Sequence, residues 1–181
     1  EVRDKILNLL IELVAGKGYY LPGSQEKRVL NYRYSTLTFV KNIYSDVNIM
    51  VIPFKLTYME RDMLKITINN VNIYNVHLES MNSKQFVEAR ECQLKTLLDI
   101  VKTSNSIVCG DFNIKHNISD VAEIGTEHTY FAHRFNNKNY SERYDRVICN
   151  DNIKCNFISY LGNEQYEFGY CSDHNGMVFN F

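Results

Sequence analysis

Along residues 2–15 the apolar side chains Val2, Ile6, Leu9, Leu10, Leu13 and Val14 recur at helical spacing, and Gly16 and Gly18 follow as stops. Residues 16–28 lose that pattern and read as a loop. Residues 35–40 and 47–52 then have the look of strands. The next signal is sharper: 64–68 alternate, Asn69 and Asn70 turn, and 71–78 alternate again, which predicts a β-hairpin. Asn82 or Ser83 stands ready to cap a helix over roughly 84–102, with Phe86, Val87, Leu94, Leu97, Leu98 and Val101 on one face. Residues 106–109 read as a short buried strand, and 116–140 as polar, irregular loops. Residues 144–149, a turn at 150–152 and residues 154–160 predict a second hairpin, and 176–181 a closing strand. Strand pairs with few intervening helices predict an α+β layered fold rather than an alternating parallel one.

Composition narrows the class. The 181 residues suit one domain spanning 1–181, with no repeat or low-complexity linker inside it. A hydrophobic fraction of 45% and an aromatic fraction of 13% exclude a disordered chain. No apolar run reaches the roughly 18 residues of a membrane span, so no membrane contact is expected. Twenty Lys and Arg against 21 Asp and Glu leave a net charge of −1. That excludes bulk attraction to a polyanion but leaves room for a local site for one phosphate. The five cysteines form no CxxC pair, which points to reduced thiols in the cytosol or nucleus rather than disulfides or structural zinc. Cys109 and Cys149 lie in apolar runs and are expected in the core. The sequence opens at Glu1 without Met or signal peptide, so its numbering is read as starting inside a longer protein or after missing residues.

Four polar clusters stand where apolar strands end or begin: His77-Leu78-Glu79-Ser80, Gly110-Asp111-Phe112-Asn113, Arg143-Tyr144-Asp145-Arg146 and Ser172-Asp173-His174-Asn175. Any one alone is commonly a turn. Strand ends on one edge of a layered sheet converge, however, and would bring carboxylates, an amide and two histidines into one pocket. Such an inventory suits metal-assisted phosphoester hydrolysis. Hard oxygens hold Mg²⁺, a carboxylate aligns water, and donors stabilise the charge that grows on the phosphoryl oxygens.

GDFN, RYDR and SDH, in that order after an HLES strand end, resemble the endonuclease/exonuclease/phosphatase superfamily with its DNase I-like fold. The likeness narrows to the tyrosyl-DNA phosphodiesterase 2 family. It adds an R-x-x-Q-L pattern at Arg90-Glu91-Cys92-Gln93-Leu94, an Ile52-Pro53-Phe54 segment and a downstream Arg at Arg61. The resemblance runs over essentially the whole chain. It implies a four-layered α/β sandwich lacking its first strand, a Mg²⁺ cofactor (or Mn²⁺), and hydrolysis of the link between a protein tyrosine and a DNA or RNA 5′-phosphate. It further implies a monomer, nuclear or cytoplasmic.

By the same resemblance, Glu1 would end the family's Q-E-V motif and bind Mg²⁺, with Asp173 supporting the metal directly or through water. Asp111 would deprotonate the attacking water. Asn113 would bind the scissile phosphate, His174 would donate to its oxygens, and Asp145 would hold the His174 ring. His77 would face the same phosphate, and Ser80 would lie beside the substrate channel. Lys115 follows the GD-x-N motif and contacts a DNA phosphate or remains a solvated loop lysine. With no Trp in the chain, Tyr130 or Phe131 would replace the family's base-stacking Trp. Tyr34 and Tyr58 are further candidates for the channel. Two departures are expected to matter: the Asn that the family's first strand carries has no counterpart, and without that strand sheet edges would be left uncovered. The alternatives are a related nuclease or phosphatase of the abasic-site type, and a truncated, catalytically silent relative that only binds nucleic acid.

Overall fold

In the computed structural model, which describes residues 2–23, 25, 36–44, 47–136, 138–167 and 169–181, the first amphipathic run is helix α1, Val2–Ala15. It ends in a turn that carries Gly18 at φ 79°, a left-handed value open to glycine at little cost. The 16–28 stretch, expected as loop, contains β1, Tyr19–Tyr20, which pairs with β2, Val40–Lys41. Of the strand expected at 35–40, only Val40 is strand; Thr36 to Phe39 have no regular structure, and position 35 lies outside the described residues. The 47–52 run becomes β3, Met50–Pro53.

The predicted hairpin is present: β4, Asp62–Ile68, pairs antiparallel with β5, Val71–His77, from Ile68↔Val71 to Met63↔Val76. Its two-residue turn has Asn69 and Asn70 at φ 50° and 63°, the left-handed pair that asparagine tolerates best among non-glycine residues. Helix α2, Lys84–Thr103, has Ser83 as its N-cap residue. It leads to β6, Ser106–Asp111, which runs parallel to β5. Short elements follow where loops were expected: β7, Ala122–Ile124, β8, Tyr130–Phe131, and helix α3, His133–Asn136; β9, Ser141–Glu142, lies just beyond that stretch. The chain continues through β10, Asp145–Cys149, β11, Asn156–Leu161, and β12, Gly176–Asn180.

The second predicted hairpin is corrected. β10 lies between β6 and β7, so both of its hydrogen-bonding edges are taken, and β11 pairs with β12 instead. The turn after β10 is fixed from elsewhere: Asn150 Nδ2 donates to the carbonyl of Val101 at the end of α2, 2.8 Å away. Among the described residues the result is a six-stranded mixed sheet, β3-β4-β5-β6-β10-β7, beside three two-stranded ones. This is the expected α+β architecture.

The two faces of the large sheet bury different partners. Tyr74, Val76, Val108 and Ile148 face one way and pack with Leu94, Leu97 and Val101 of α2. Fully burying one such side chain contributes about 1.5–3 kcal/mol. Ile107, Val147 and Cys149 face the other way and meet Met177 and Phe179 of β12, which places the β11–β12 pair across that second face. Cys149 is buried and Cys109 half-buried, both as free thiols. Among the described residues no helix is long and apolar enough to cross a membrane.

Candidate active site

Sheet register explains why the separated motifs meet. His77 ends β5 opposite Asp111, which ends the parallel strand β6. Asp145 opens antiparallel β10, also opposite Asp111. Paired residues share a face, so His77, Asp111 and Asp145 form a row across three strands. By alternation this face also carries Ile107, Val147 and Cys149, and β12 packs on it. His174, in the approach to β12, thereby reaches Asp145, with its Nδ1 2.6 Å from Oδ2.

Backbone detail finishes each side. Gly110 has φ 140°, and a Cβ there would stand 1.9 Å from the Val76 carbonyl oxygen, so β5 and β6 close at this point only around glycine. Asn113 sits at φ 53°; its N–H donates to Asp111 Oδ1 at 2.8 Å, and its Nδ2 donates to the Leu78 carbonyl at 3.1 Å. Asp111 Oδ1 is thus engaged by its own loop, while Oδ2 lies 3.4 Å from His77 Nε2. Thr129, fully buried, accepts the Asp145 N–H on its hydroxyl at 2.9 Å.

The electrostatics separate the titratable groups. Burial, then the Asp145 charge, raises the Asp111 carboxyl from 3.8 to about 6, against the opposing pull of His174, the Asn113 N–H and Arg61. Burial, then the Arg61 and His174 charges, pushes His77 down to about 4, so it is neutral at physiological pH. Its contact with Asp111 is therefore not an ion pair there, despite the distance. Arg61 Nη2 lies 3.3 Å from His77 Nε2, which a neutral ring offers as an acceptor. For His174 burial works against the charge, but the Asp145 hydrogen bond and the nearby carboxylates outweigh it and raise the pKa.

The other expected residues fall in several places. Arg61 is buried, and Ser80 Oγ donates to Met59 Sδ at 3.3 Å. Tyr130 lies 5.1 Å from the His174 ring, centroid to centroid. The Phe131 ring is instead covered by the Arg134 guanidinium at 4.5 Å, which also stacks on Tyr170. Lys115 Nζ stands 4.9 Å above the Tyr140 ring and 3.9 Å from Glu142 Oε1. Tyr58 is exposed and meets Phe86 edge to face. Beside Asn113 opens a cavity of about 350 Å³, lined also by Asn82, Arg90, Lys115, His116 and Tyr144. Glu1 and Tyr34 lie outside the described residues.

Sequence reasoning missed part of the surroundings. Tyr140 and Tyr144 join their hydroxyls at 2.9 Å and, with Tyr130, make an aromatic group beside His174. Arg146, fully buried, donates to the carbonyls of Ile114 and His116 and to Glu123 Oε1. Both Tyr144 and Arg146 belong to the RYDR motif, whose Asp145 alone had been given a role.

Among the described residues no three His, Cys, Asp or Glu side chains gather closely enough to hold a metal ion. The donor chemistry nevertheless fits a hard divalent cation. Asp111, Asp145 and Asp173 bring carboxylate oxygens, the hard donors that such a cation takes.

No protein-family model and no curated protein matches this sequence. Solved structures do. A truncated TDP2 of Caenorhabditis elegans aligns with a TM-score of 0.65 and 21% identity, over 89% of this chain and 73% of that one. A D. rerio TDP2 complexed with a single-strand DNA product gives 0.61 and 19%, over 98% and 92% of the two chains. An endonuclease/exonuclease/phosphatase from Beutenbergia cavernae gives 0.62 and 18%, over 95% of this chain and 56% of that one. This likeness shows that the chain has the fold of the endonuclease/exonuclease/phosphatase structures, as its motifs implied.

Proposed function

We propose that a protein with this fold and this row of strand-end residues is a metal-dependent phosphodiesterase that hydrolyses the bond between a tyrosine and the 5′-phosphate of DNA or RNA. The observation that carries the reading is the His174–Asp145 pair at 2.6 Å, set beside Asp111 and Asn113 by strand register. The tyrosyl substrate is proposed from the sequence resemblance, and the likeness in fold to the TDP2 structures supports it.

In this reading Asp111 accepts a proton from water on Oδ2 as the water's oxygen attacks phosphorus and the tyrosine phenolate departs. The Asn113 side-chain amide turns to the phosphate and helps align that water. His174 donates from Nε2 to a phosphoryl oxygen, while Asp145 receives its Nδ1–H and keeps the ring oriented. Neutral His77 and the Arg61 guanidinium face the same phosphate. Ser80 lines the channel, Tyr130 (or Phe131) stacks on the first base, and Lys115 meets the next phosphate across the cavity beside Asn113. Mg²⁺, or Mn²⁺, would be held by Glu1 and Asp173, and when bound it neutralises charge on the phosphate.

The test is a 5′-phosphotyrosyl oligonucleotide incubated with Mg²⁺, with EDTA, and with the Asp111→Asn variant, next to an abasic-site duplex. Turnover is expected only in the first arm and faster than cutting of the duplex. Equal turnover in all three arms would sink the mechanism. Faster cutting of the duplex would move the assignment to a nuclease of the abasic-site type.

The rate also has an expected pH dependence. The base works ionised, so log kcat/KM is expected to rise with unit slope below a midpoint near 6. A rate independent of pH between about 4 and 7 would remove Asp111 from the role of base.

A further inference from the structure

A buried carboxylate lies next to the catalytic row without belonging to it. Glu79 is fully buried. Its Oε1 accepts three hydrogen bonds from one loop: Thr57 Oγ1 at 2.6 Å, the Tyr58 N–H at 2.6 Å and the Met59 N–H at 3.0 Å. Thr57 Oγ1 in turn accepts the Arg61 N–H at 2.8 Å. The loop it organises passes through Glu60 at φ 57°, a left-handed conformation that a glutamate adopts only when its surroundings impose it. Its far end delivers the Arg61 guanidinium to His77.

The main chain of Glu79 is held as firmly. Gln93 of α2 accepts the Glu79 N–H on Oε1 at 2.9 Å and donates from Nε2 to the Leu56 carbonyl. Arg90 Nη1 donates to the carbonyls of Glu79 and Met81. The R-x-x-Q pattern of α2 therefore grips both the strand end and the beginning of the loop. For stability alone, Glu79 is a poor choice. Its Oε2 is buried with no hydrogen-bond partner among the described residues, and a buried carboxylate left half satisfied costs folding free energy.

We infer that Glu79 is a positioning residue. It fixes loop 57–61 so that Arg61 lies against His77 at the phosphate site, and its effect on the reaction passes through Arg61. This rests on the phosphodiesterase reading for its kinetic test but not for its structural one.

Glu79→Gln keeps the side-chain shape. Thr57→Val removes only the hydroxyl link and leaves the buried carboxylate in place, so it serves if Glu79→Gln does not fold. Each is expected to lower kcat/KM for the phosphotyrosyl oligonucleotide about ten-fold. In an Arg61→Ala background either change should cost less than about two-fold more. Multiplicative losses in that background would overturn the inference, because they would show an effect that does not pass through Arg61.

The second readout needs no turnover. In ¹⁵N spectra of the metal-free protein, the His77 Nε2 resonance is expected to move in the same direction in Arg61→Ala, Glu79→Gln and Thr57→Val. A shift in Arg61→Ala alone overturns the inference. If the wild-type protein does not turn over the oligonucleotide, the function reading fails, and the spectra decide the positioning role on their own.

Discussion

Asp111→Asn is expected to lower kcat on the phosphotyrosyl oligonucleotide by about 10²–10⁴-fold and, in EDTA at neutral pH, to make the folded protein more stable than wild type. The two effects have one cause. Strand register forces the base beside Asp145 in a buried row, which raises its carboxyl from 3.8 to about 6. A carboxyl whose folded pKa is raised favours the fold while protonated. That contribution is whole below about pH 4, declines between 4 and 6, and is gone above. The span corresponds to about 3 kcal/mol at most. Asparagine cannot ionise and keeps whatever part of this its amide can replace. His77, held neutral with a pKa near 4, acts in the opposite sense: its contribution is lost as pH falls from 6.5 towards 4. It is present in both proteins and enters their difference only through its contact with Asp111. Urea unfolding at pH 4 and 7.5 checks the claim. The advantage of the variant should grow with pH, and a difference that is flat or reversed would contradict the electrostatic account.

Gly110→Ala should be the more damaging change to the fold. The added Cβ would meet the Val76 carbonyl oxygen at 1.9 Å and its carbon at 2.9 Å, all backbone of the adjacent strand, at a φ of 140°. Neither strand can yield, because β5 and β6 lie at the centre of the sheet, each with a second partner. A loss of more than about 4 kcal/mol is expected, enough to leave many domains of this size unfolded. Gly176→Ala is the control. Its nearest neighbour is the Leu161 Cβ at 3.7 Å, an ordinary contact, and its cost should stay within about 1 kcal/mol. Circular dichroism and urea titration of the pair decide the matter. Equal stability of the two would contradict the close approach of β5 and β6.

How much of this was legible in the sequence depended on the range of the interaction. The β4–β5 hairpin and helix α2 were readable because alternation, two asparagines and a 3.6-residue period are local signals. The meeting of His77, Asp111, Asp145 and His174 was readable for a related reason, since polar groups stood where alternating apolar runs stopped. What failed was partner choice. Residues 144–149 and 154–160 look like a hairpin, yet β10 finds β6 more than thirty residues earlier and β7 more than twenty residues earlier. Nothing in the local pattern reveals that both edges of a strand are already taken. The short strands within 116–140 escaped for a different reason, because two or three residues carry no period. Glu79 and Arg146 were hidden in plain motifs. A charged residue at a strand end reads as chemistry or solvent, not as a buried tether for a neighbouring loop.

The row His77–Asp111–Asp145 also bears on how the molecule comes into being. Its members are contributed by three strands, and the central pairing joins a parallel strand across an entire helix. Closing that loop is entropically demanding, and no hairpin offers a partial reward along the way. The period of a strand is two, so a slip of one residue there would turn Asp111 to the opposite face. The same slip would turn Val108 away from α2, so the packing of the sheet and the meeting of the three groups are set by one register. Competence is thus a property of the finished ladder.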